Sequence, residues 1–322
     1  MRFQSLGIVA FSVAALTSSV LSAPTSIVEA DKRIPETDVL LTLAGERSIE
    51  PRDNTAATTP VTNGAQYSFP AQLSQSAYCG LAVGAKIGDA TILYKGGDGG
   101  ATPMYYIAYS ATKGIVVSHQ GTNTSSLASI SNDVNFKLTN VDSRLSYLGS
   151  GAQVSTGFQT AWLRTADTIL SQVKTALTKY PGAKVFTTGH SLGASISLLD
   201  ALYLKKQLPS NSVSSITFGL PRTGNQAFAN AVDSNLAGFV HINNGRDPVP
   251  RLPGTGFDFI QVSGEIWINP ANGNAAVNCP GQENFNCIRS VDPLLFNVDD
   301  HTGTYFRVRI AGRGANCPAV IA

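Results

Sequence analysis

Charged residues are scarce in this chain of 322 residues. Asp, Glu, Lys and Arg make up 14% of it, the net charge is +2, and no basic run is longer than two residues. A nucleic-acid partner is therefore not expected. The low charge, together with 30 Gly and many Ser, Thr and Asn, is typical of an extracellular protein. The hydrophobic fraction of 43% is sufficient for one large core.

Long hydrophobic runs are also few. The apolar stretch from Leu6 to Leu16 follows Arg2 and precedes small residues, with Val20-Leu21-Ser22 before Ala23. This pattern is typical of a secretory signal peptide, which we place at residues 1–22. No later segment has the roughly 18–20 apolar residues that a membrane-spanning helix needs. The sequence therefore predicts secretion and no transmembrane segment.

A polar stretch follows the predicted signal peptide, and large apolar residues are few in its second half, from Arg47 to Gly64. Residues 23–64 include the dibasic pair Lys32-Arg33, and Arg47 to Gly64 should add little to a core. We interpret 23–64 as a propeptide or a flexible amino-terminal arm. Residues 65–322 are then the folded domain, which we expect to be monomeric.

Cysteine is limited to four residues, Cys79, Cys279, Cys287 and Cys317. In a secreted chain four cysteines indicate two disulfides, and three pairings are possible. Cys279 and Cys287 flank Pro280-Gly281 and would close a small local loop. Cys79 and Cys317 would then tie the two ends of the domain together. No Cys or His pair has zinc-like spacing, so we expect neither a metal site nor a cofactor.

Strand-like and helix-like segments alternate along the rest of the chain. The strand-like segments are 105–109 and 114–118, which form a hairpin, and 184–188, 213–218 and 238–242. The helix-like segments are 158–177, which Pro181-Gly182 ends, and 194–206 and 225–236. This alternation predicts an α/β fold with flanking helices and a central, largely parallel sheet.

The pentapeptide Gly189-His190-Ser191-Leu192-Gly193 lies between the strand 184–188 and the helix 194–206. A serine on a tight strand-to-helix turn needs neighbours without a Cβ, which is the role of Gly189 and Gly193. This arrangement is the nucleophile elbow of α/β-hydrolases, so Ser191 is the candidate nucleophile. The start of the helix at Leu192 would direct backbone N–H groups toward a developing oxyanion.

A serine nucleophile needs a base, and in α/β-hydrolases the base is a histidine that follows the serine and the acid. The chain has four histidines, His119, His190, His241 and His301. His119 and His190 come too early, and His241 lies inside a strand-like segment with few acids before it. His301 therefore becomes the candidate base.

The acid that orients the base should lie between Ser191 and His301. Asp200 lies on the helix after the elbow, where we expect it to face away from a base. Asp299 and Asp300 adjoin His301 too closely to orient it easily. Asp247 follows the strand 238–242, at the end of the sheet where α/β proteins carry functional loops. Asp247 is therefore the candidate acid.

Four motifs in this order resemble the fungal class 3 lipase family, which includes triacylglycerol lipases and related feruloyl esterases. They are GHSLGA at 189–194, FGLPRTGN at 218–225, DPVPRLP at 247–253 and DHTGTYF at 300–306. The resemblance extends from about Tyr67 to Cys317. It implies an α/β-hydrolase fold and a Ser191–His301–Asp247 triad.

The same resemblance places the oxyanion hole at the Leu192 N–H and at Thr122, in the loop after strand 114–118. From the residues alone, Thr122 is a candidate in that loop because its N–H and its hydroxyl can both donate. The resemblance also suggests the Cys79–Cys317 disulfide, and the Cys279–Cys287 loop is similar to one in the esterase branch.

The substrate stays open at this level. The lipases carry a helical lid after the position of Thr122, but here residues 123–133 contain only Leu127 and Ile130 as sizeable apolar residues. Asn123 begins the sequon Asn-Thr-Ser and is a glycosylation candidate. We expect a lipase or broad carboxylesterase that acts on acylglycerols, at a lipid–water interface if it is a lipase. The alternatives are a feruloyl esterase, whose substrate is a phenolic ester, and, more remotely, an inactive surface-binding protein.

Overall fold

The computed structural model describes residues 54–122, 137–312 and 315–321. The expected signal peptide at 1–22, most of the amino-terminal arm, the Asn123 sequon and the segment 123–133 lie outside these residues. No helix among them is long and apolar enough to span a membrane.

The described part of the chain contains five α-helices and sixteen β-strands. The helices are α1 (Ser68–Ser76), α2 (Thr156–Leu163), α3 (Ala166–Lys179), α4 (Leu192–Gln207) and α5 (Gln226–Asn235). The first eight strands are β1 (Thr59–Pro60), β2 (Lys86–Ile87), β3 (Ala90–Gly96), β4 (Tyr105–Ser110), β5 (Gly114–His119), β6 (Leu138–Asn140), β7 (Gln153–Ser155) and β8 (Val185–His190). The others are β9 (Val213–Phe218), β10 (Gly224–Asn225), β11 (Val240–Asn244), β12 (Phe259–Ile260), β13 (Glu265–Ile268), β14 (Ala276–Cys279), β15 (Thr304–Tyr305) and β16 (Val308–Arg309).

The main sheet has ten strands in the order β1-β14-β13-β11-β9-β8-β5-β4-β3-β2. Its five central strands, from β13 to β5, are mutually parallel, and the outer strands add antiparallel edges. This confirms the expected α/β-hydrolase architecture. Ser191 follows β8 in the middle of the sheet, and Asp247 follows β11 two strands away, so both lie at the carboxyl ends of parallel strands.

Both faces of the central strands are buried, which explains their nearly continuous apolar sequences. On β5 and β8, Ile115 and Val185 pack with α3 residues, whereas Val116 and Phe186 pack in a cluster with Leu73 of α1. The largest cluster lies between α2, α4 and α5 and includes Trp162. The sheet is therefore sandwiched by helices and held in place from both sides.

Helix α4, which begins at the elbow, is buried on every side. All of its residues from Gly193 to Leu204 are buried, including Ser195, Ser197 and Asp200. In the helix predicted at 194–206, Ile196, Leu198, Leu199 and Leu202 indicate a single apolar side. The reason for the difference is that α4 packs against the sheet and also against other helices, as in the cluster with Trp162. A helix so enclosed is a rigid support for the residue that precedes it.

The single helix expected at 158–177 was wrong, because the structure has two helices there. Helix α2 ends at Leu163 and α3 begins at Ala166. Thr165 between them leaves the helical conformation with φ −124°, and its hydroxyl donates to the Trp162 carbonyl at 3.2 Å. Such a local side-chain bond competes with the helical backbone pattern. The expected end before Pro181-Gly182 is confirmed.

Both disulfides join the expected partners, Cys79 with Cys317 and Cys279 with Cys287. The end of the predicted amino-terminal arm lies against β14 and the loop that the Cys279–Cys287 disulfide closes. Strand β1 pairs with β14, and the Asn54 side chain donates to the Gln282 carbonyl at 3.2 Å. Thr59 and Pro60 remain exposed, so this stretch adds hydrogen bonds rather than apolar core.

Candidate active site

The turn at Ser191 is strained in the way an elbow requires. Ser191 has φ 58° and ψ −127°, a conformation that a non-glycine residue adopts only when its surroundings enforce it. A Cβ on Gly189 would collide with the Gly193 carbonyl, and one on Gly193 would lie 2.5 Å from the His119 carbonyl oxygen. Both glycines therefore permit the close approach of β8, α4 and the end of β5.

His301 and Asp247 meet although they are 54 residues apart in sequence. The His301 Nδ1–H donates to Asp247 Oδ2 at 2.8 Å. The other oxygen of Asp247, Oδ1, accepts the Val249 N–H at 2.8 Å. Both side chains are almost inaccessible to solvent, with 2% and 0% exposed. Because water is excluded, the carboxylate interacts strongly with the imidazole and fixes which of its nitrogens carries the proton.

The buried side-chain atoms without a hydrogen-bond partner in the described part of the chain include three at this site: Ser191 Oγ, His301 Nε2 and Thr122 Oγ1. Buried polar atoms are normally paired, and those left unpaired call for a functional explanation. The three belong to the predicted nucleophile, base and oxyanion residue. Their free hydrogen-bonding capacity is what a bound ester would use.

The structure also brings the loop after β5 against the elbow. A Cβ on Gly121 would lie 2.5 Å from the His190 carbonyl oxygen and 2.9 Å from the Ser191 Cβ. Thr122 therefore follows a residue that is in contact with the nucleophile's backbone. Leu192, the other predicted oxyanion donor, is the first residue of α4, where the first N–H groups of a helix have no partner within the helix.

The remaining histidines have structural partners. The His119 Nε2 atom lies 2.7 Å from Asp200 Oδ2, and the Trp162 indole donates to the other oxygen of Asp200 at 2.9 Å. Asp200 was expected to face away from a base, yet it holds this second histidine behind the elbow. His241 lies in β11, and its Nε2–H donates to the Val262 carbonyl at 3.1 Å. Burial lowers the pKa of His241 to about 4, so it stays neutral.

A buried ion pair near the acid was not predicted from the sequence. The Arg222 guanidinium contacts both oxygens of Glu283, at 2.6 and 2.8 Å. Arg222 also donates to the carbonyls of Arg251 and Pro253, which follow Asp247 along the chain. Burial alone would raise the pKa of Glu283, but the Arg222 charge lowers it. The pair thus joins the Cys279–Cys287 loop to the segment after Asp247.

Glu265 and the disulfide sulfurs of Cys279 and Cys287 lie within 4.8 Å of one another. Both sulfur atoms are in the disulfide, so they are not thiolate ligands for a metal ion. Glu265 instead accepts hydrogen bonds from the Asn243 side chain and the Ile288 N–H. Burial raises the pKa of Glu265 to about 7.

An exposed apolar pair lies in the segment that leads to His301. Leu294 and Leu295 are 70% and 55% exposed and belong to a short 3-10 helix, Pro293–Leu295. The next residues turn inward, because Phe296 and Val298 pack on Val249. The two leucines therefore project to solvent from a segment anchored beside Asp247.

Sequence comparisons find similarity to lipases. A family model described as "Lipase (class 3)" matches residues 116–257. The chain is 39% identical over 260 residues to the "secreted mono- and diacylglycerol lipase MDL2" of Malassezia globosa, covering 79% of this chain and 85% of that protein.

Two solved structures extend the comparison. A lipase from Rhizopus microsporus var. chinensis superimposes with a TM-score of 0.70 at 28% identity, over 81% of this chain and 93% of that one. The other is a triacylglycerol lipase whose catalytic centre is formed by a serine protease triad. It superimposes with a TM-score of 0.67 at 26% identity, over 77% of this chain and 97% of that one.

Proposed function

The chain belongs to the class 3 lipase family, and on that premise we propose that it is a secreted lipase that hydrolyses acylglycerols through Ser191, His301 and Asp247. The observation that carries the catalytic assignment is the His301–Asp247 hydrogen bond of 2.8 Å beside the strained turn of Ser191. The relatives named as secreted mono- and diacylglycerol lipases support both secretion and the substrate class.

The proposed reaction follows from the proton positions. Asp247 accepts the Nδ1–H of His301, which leaves a lone pair on Nε2 to remove the proton of Ser191. Ser191 Oγ then attacks the ester carbonyl, and the oxyanion is held by N–H groups at Leu192 and Thr122 and by the Thr122 hydroxyl. The protonated His301 gives its proton to the leaving alcohol. Water activated by His301 then releases the fatty acid and restores Ser191.

We further propose that Leu294 and Leu295 contact the lipid surface from which substrate enters. Apolar side chains that project beside a site for water-insoluble esters would gain the free energy of burial when they enter the lipid. The double change Leu294→Ser and Leu295→Ser should lower the rate on a triolein emulsion more than tenfold, by the lost burial of two leucines, while hydrolysis of dissolved p-nitrophenyl acetate stays unchanged. Val83→Ser is a matched control, because Val83 is 58% exposed but lies before β2 at the far edge of the sheet.

The activity itself is tested by Ser191→Ala. This variant should lose hydrolysis of every ester and labelling by a serine-directed organophosphate, while the wild-type enzyme retains both. Retained hydrolysis in Ser191→Ala would sink the mechanism. A wild-type protein that is neither active nor labelled would revive the surface-binding alternative.

The substrate is tested by parallel rates on tributyrin, diolein, triolein and methyl ferulate. We expect the acylglycerols to be cleaved far faster than methyl ferulate. Ferulate turnover well above all three acylglycerols would instead identify a feruloyl esterase. A higher rate on diolein than on triolein would extend to this chain the partial-glyceride preference in the relatives' names.

A further inference from the structure

The residue before the nucleophile, His190, contacts the backbone of the proposed base. The His190 Nε2 atom lies 2.8 Å from the His301 carbonyl oxygen, and the two imidazole rings are 4.4 Å apart. A carbonyl oxygen only accepts hydrogen bonds, so His190 Nε2 must carry a proton. The Tyr305 hydroxyl donates to the same carbonyl at 3.0 Å, which occupies both of its lone pairs.

The other nitrogen of His190 meets a tyrosine from a distant part of the chain. The Tyr78 hydroxyl lies 2.8 Å from His190 Nδ1, and 112 residues separate the two. The pKa of His190 is well below its usual value, mainly because the ring is buried and secondly because the His301 ring lies next to it. A neutral His190 with a proton on Nε2 has a lone pair on Nδ1. Tyr78 must therefore donate its hydroxyl proton to that nitrogen.

The oxyanion loop packs against the same chain of hydrogen bonds. The Tyr78 hydroxyl lies so close to Gly121 that a Cβ added to this glycine would be 2.5 Å from the hydroxyl oxygen, and burial raises the pKa of Tyr78. The direction of both protons is fixed, from Tyr78 to His190 and from His190 to the His301 carbonyl. The tyrosine at one end thus contacts the residue before Thr122, and the other end is the proposed base.

We propose that Tyr78 and His190 are positioning residues that set the distance between the base His301 and the oxyanion loop at Gly121–Thr122. The inference rests on the proposed triad. Neither side chain touches the reacting atoms in this role. Asp247 fixes the His301 ring through Nδ1, whereas His190 fixes its backbone, so the two contacts together restrict both translation and rotation of the imidazole. Small displacements of a catalytic group from its productive geometry are costly in rate.

The neutrality of His190 is part of this role. His301 becomes positively charged when it takes the Ser191 proton, and a second positive ring 4.4 Å away would oppose that step by like-charge repulsion. Burial and the donated Tyr78 proton keep His190 neutral. The carboxylate that faces the His301 ring is that of Asp247, whose Oδ2 lies 2.8 Å from Nδ1.

The test begins with Tyr78→Phe, which removes one hydroxyl and keeps the ring. We expect kcat on dissolved p-nitrophenyl butyrate to fall about tenfold, the usual effect of one buried hydrogen bond, with KM changed less than twofold. Tyr106→Phe is the matched control, because the buried Tyr106 hydroxyl also makes one hydrogen bond, to the Leu73 carbonyl at 2.6 Å. It should lose stability in a thermal melt but keep its kcat.

Two substitutions at His190 separate positioning from general packing. In His190→Gln the side-chain N–H reaches as far as Nε2 and still donates to the His301 carbonyl, whereas the shorter His190→Asn does not. We expect the glutamine variant to retain several-fold more kcat than the asparagine variant at similar melting temperature. Equal kcat in the two variants would overturn the role of His190.

The proposal as a whole is overturned if Tyr78→Phe keeps kcat within twofold of wild type, or if Tyr106→Phe loses as much kcat as Tyr78→Phe. Ser191→Ala, measured in parallel, keeps this outcome apart from the proposed function. An inactive Ser191→Ala with an unaffected Tyr78→Phe removes the positioning role alone. An active Ser191→Ala removes the triad, and the positioning role with it.

Discussion

The substitution Asp247→Asn tests how the acid controls the proton of His301. In an asparagine side chain one oxygen of the carboxylate is replaced by an NH₂ group, and the structure decides which one. The Val249 N–H donates to Oδ1 of Asp247 at 2.8 Å, so the remaining oxygen of Asn must stay there. The NH₂ group then faces His301 Nδ1. In the wild-type enzyme this nitrogen carries a proton and donates it to Asp247.

The expected consequence is a change of tautomer. An NH₂ donor opposite Nδ1 moves the His301 proton to Nε2, and an Nε2–H cannot accept the proton of Ser191. The loss of kcat/KM should be on the order of 10³- to 10⁴-fold, which is the size known for the same change in serine proteases and corresponds to about 4–5.5 kcal/mol of transition-state stabilisation. Because the Val249 hydrogen bond persists unchanged and the His301 hydrogen bond persists with donor and acceptor exchanged, the melting temperature should change little.

The assay is hydrolysis of p-nitrophenyl butyrate with active-site titration, and Asp300→Asn is the matched control. Asp300 adjoins His301, and burial raises the pKa of its carboxyl while it accepts the Arg246 N–H at 2.8 Å. As Asp300 makes no hydrogen bond to the His301 ring, its asparagine variant should lose less than tenfold. An Asp247→Asn loss below tenfold, or a larger loss in Asp300→Asn, would refute the assignment.

Three stability predictions follow from buried groups. In urea unfolding, the free energy of unfolding of Glu265→Gln should rise relative to that of wild type as the pH increases from 5 to 8, by up to roughly 3 kcal/mol. Glu283→Gln should destabilise the protein by about 3–5 kcal/mol, because it removes the carboxylate charge that the buried Arg222 and Arg289 both face. The double change Cys79→Ser and Cys317→Ser, which opens a loop of 238 residues, should cost about 5 kcal/mol in the chain-entropy model, again by urea unfolding.

The sign for Glu265 comes from its raised pKa of about 7, against the ordinary value of 4.5. Between these values the folded protein binds more protons than the unfolded chain, so the neutral carboxyl stabilises the fold fully below pH 4.5 and this contribution is lost as pH rises through 7. A glutamine has no such loss. A difference between variant and wild type that does not change from pH 5 to 8 would contradict the raised pKa. A free energy of unfolding within 1 kcal/mol of wild type, for Glu283→Gln or for the double Cys79→Ser and Cys317→Ser variant, would contradict the corresponding prediction.

The elements that the sequence predicted well are those whose signal is local. The strand 184–188, the pentapeptide at Ser191 and the helix after it form one continuous segment, so glycine spacing and apolar runs were sufficient to predict them. The boundary inside 158–177 was missed because it depends on a single hydroxyl bond, from Thr165 to the Trp162 carbonyl, which apolar periodicity does not reveal. The helix α4 was predicted, but not its burial on all sides.

The buried polar partnerships could not be predicted in the same way. Asp200 was expected to face away from a base, and nothing in its neighbours along the chain shows that it binds His119 and Trp162. The Arg222–Glu283 pair spans 61 residues, and the Tyr78–His190 bond spans 112. Such pairs join loops from different strands, and their residues carry no periodic or spacing signal that names the partner.

The sequence by itself was sufficient to predict the fold class, the disulfide partners and the three residues of the proposed triad. The fold class follows from local patterns, the triad from the order of residues along the chain, and the Cys79–Cys317 pairing from the family resemblance. Tertiary structure alone decided that Asp247 meets His301 with Val249 fixing its orientation, and that Tyr78 and His190 connect the base to the oxyanion loop. The physical reason is that hydrogen bonds between distant residues are directional and short-ranged. Their existence depends on where the packed sheet and helices place each side chain, to within a few tenths of an ångström.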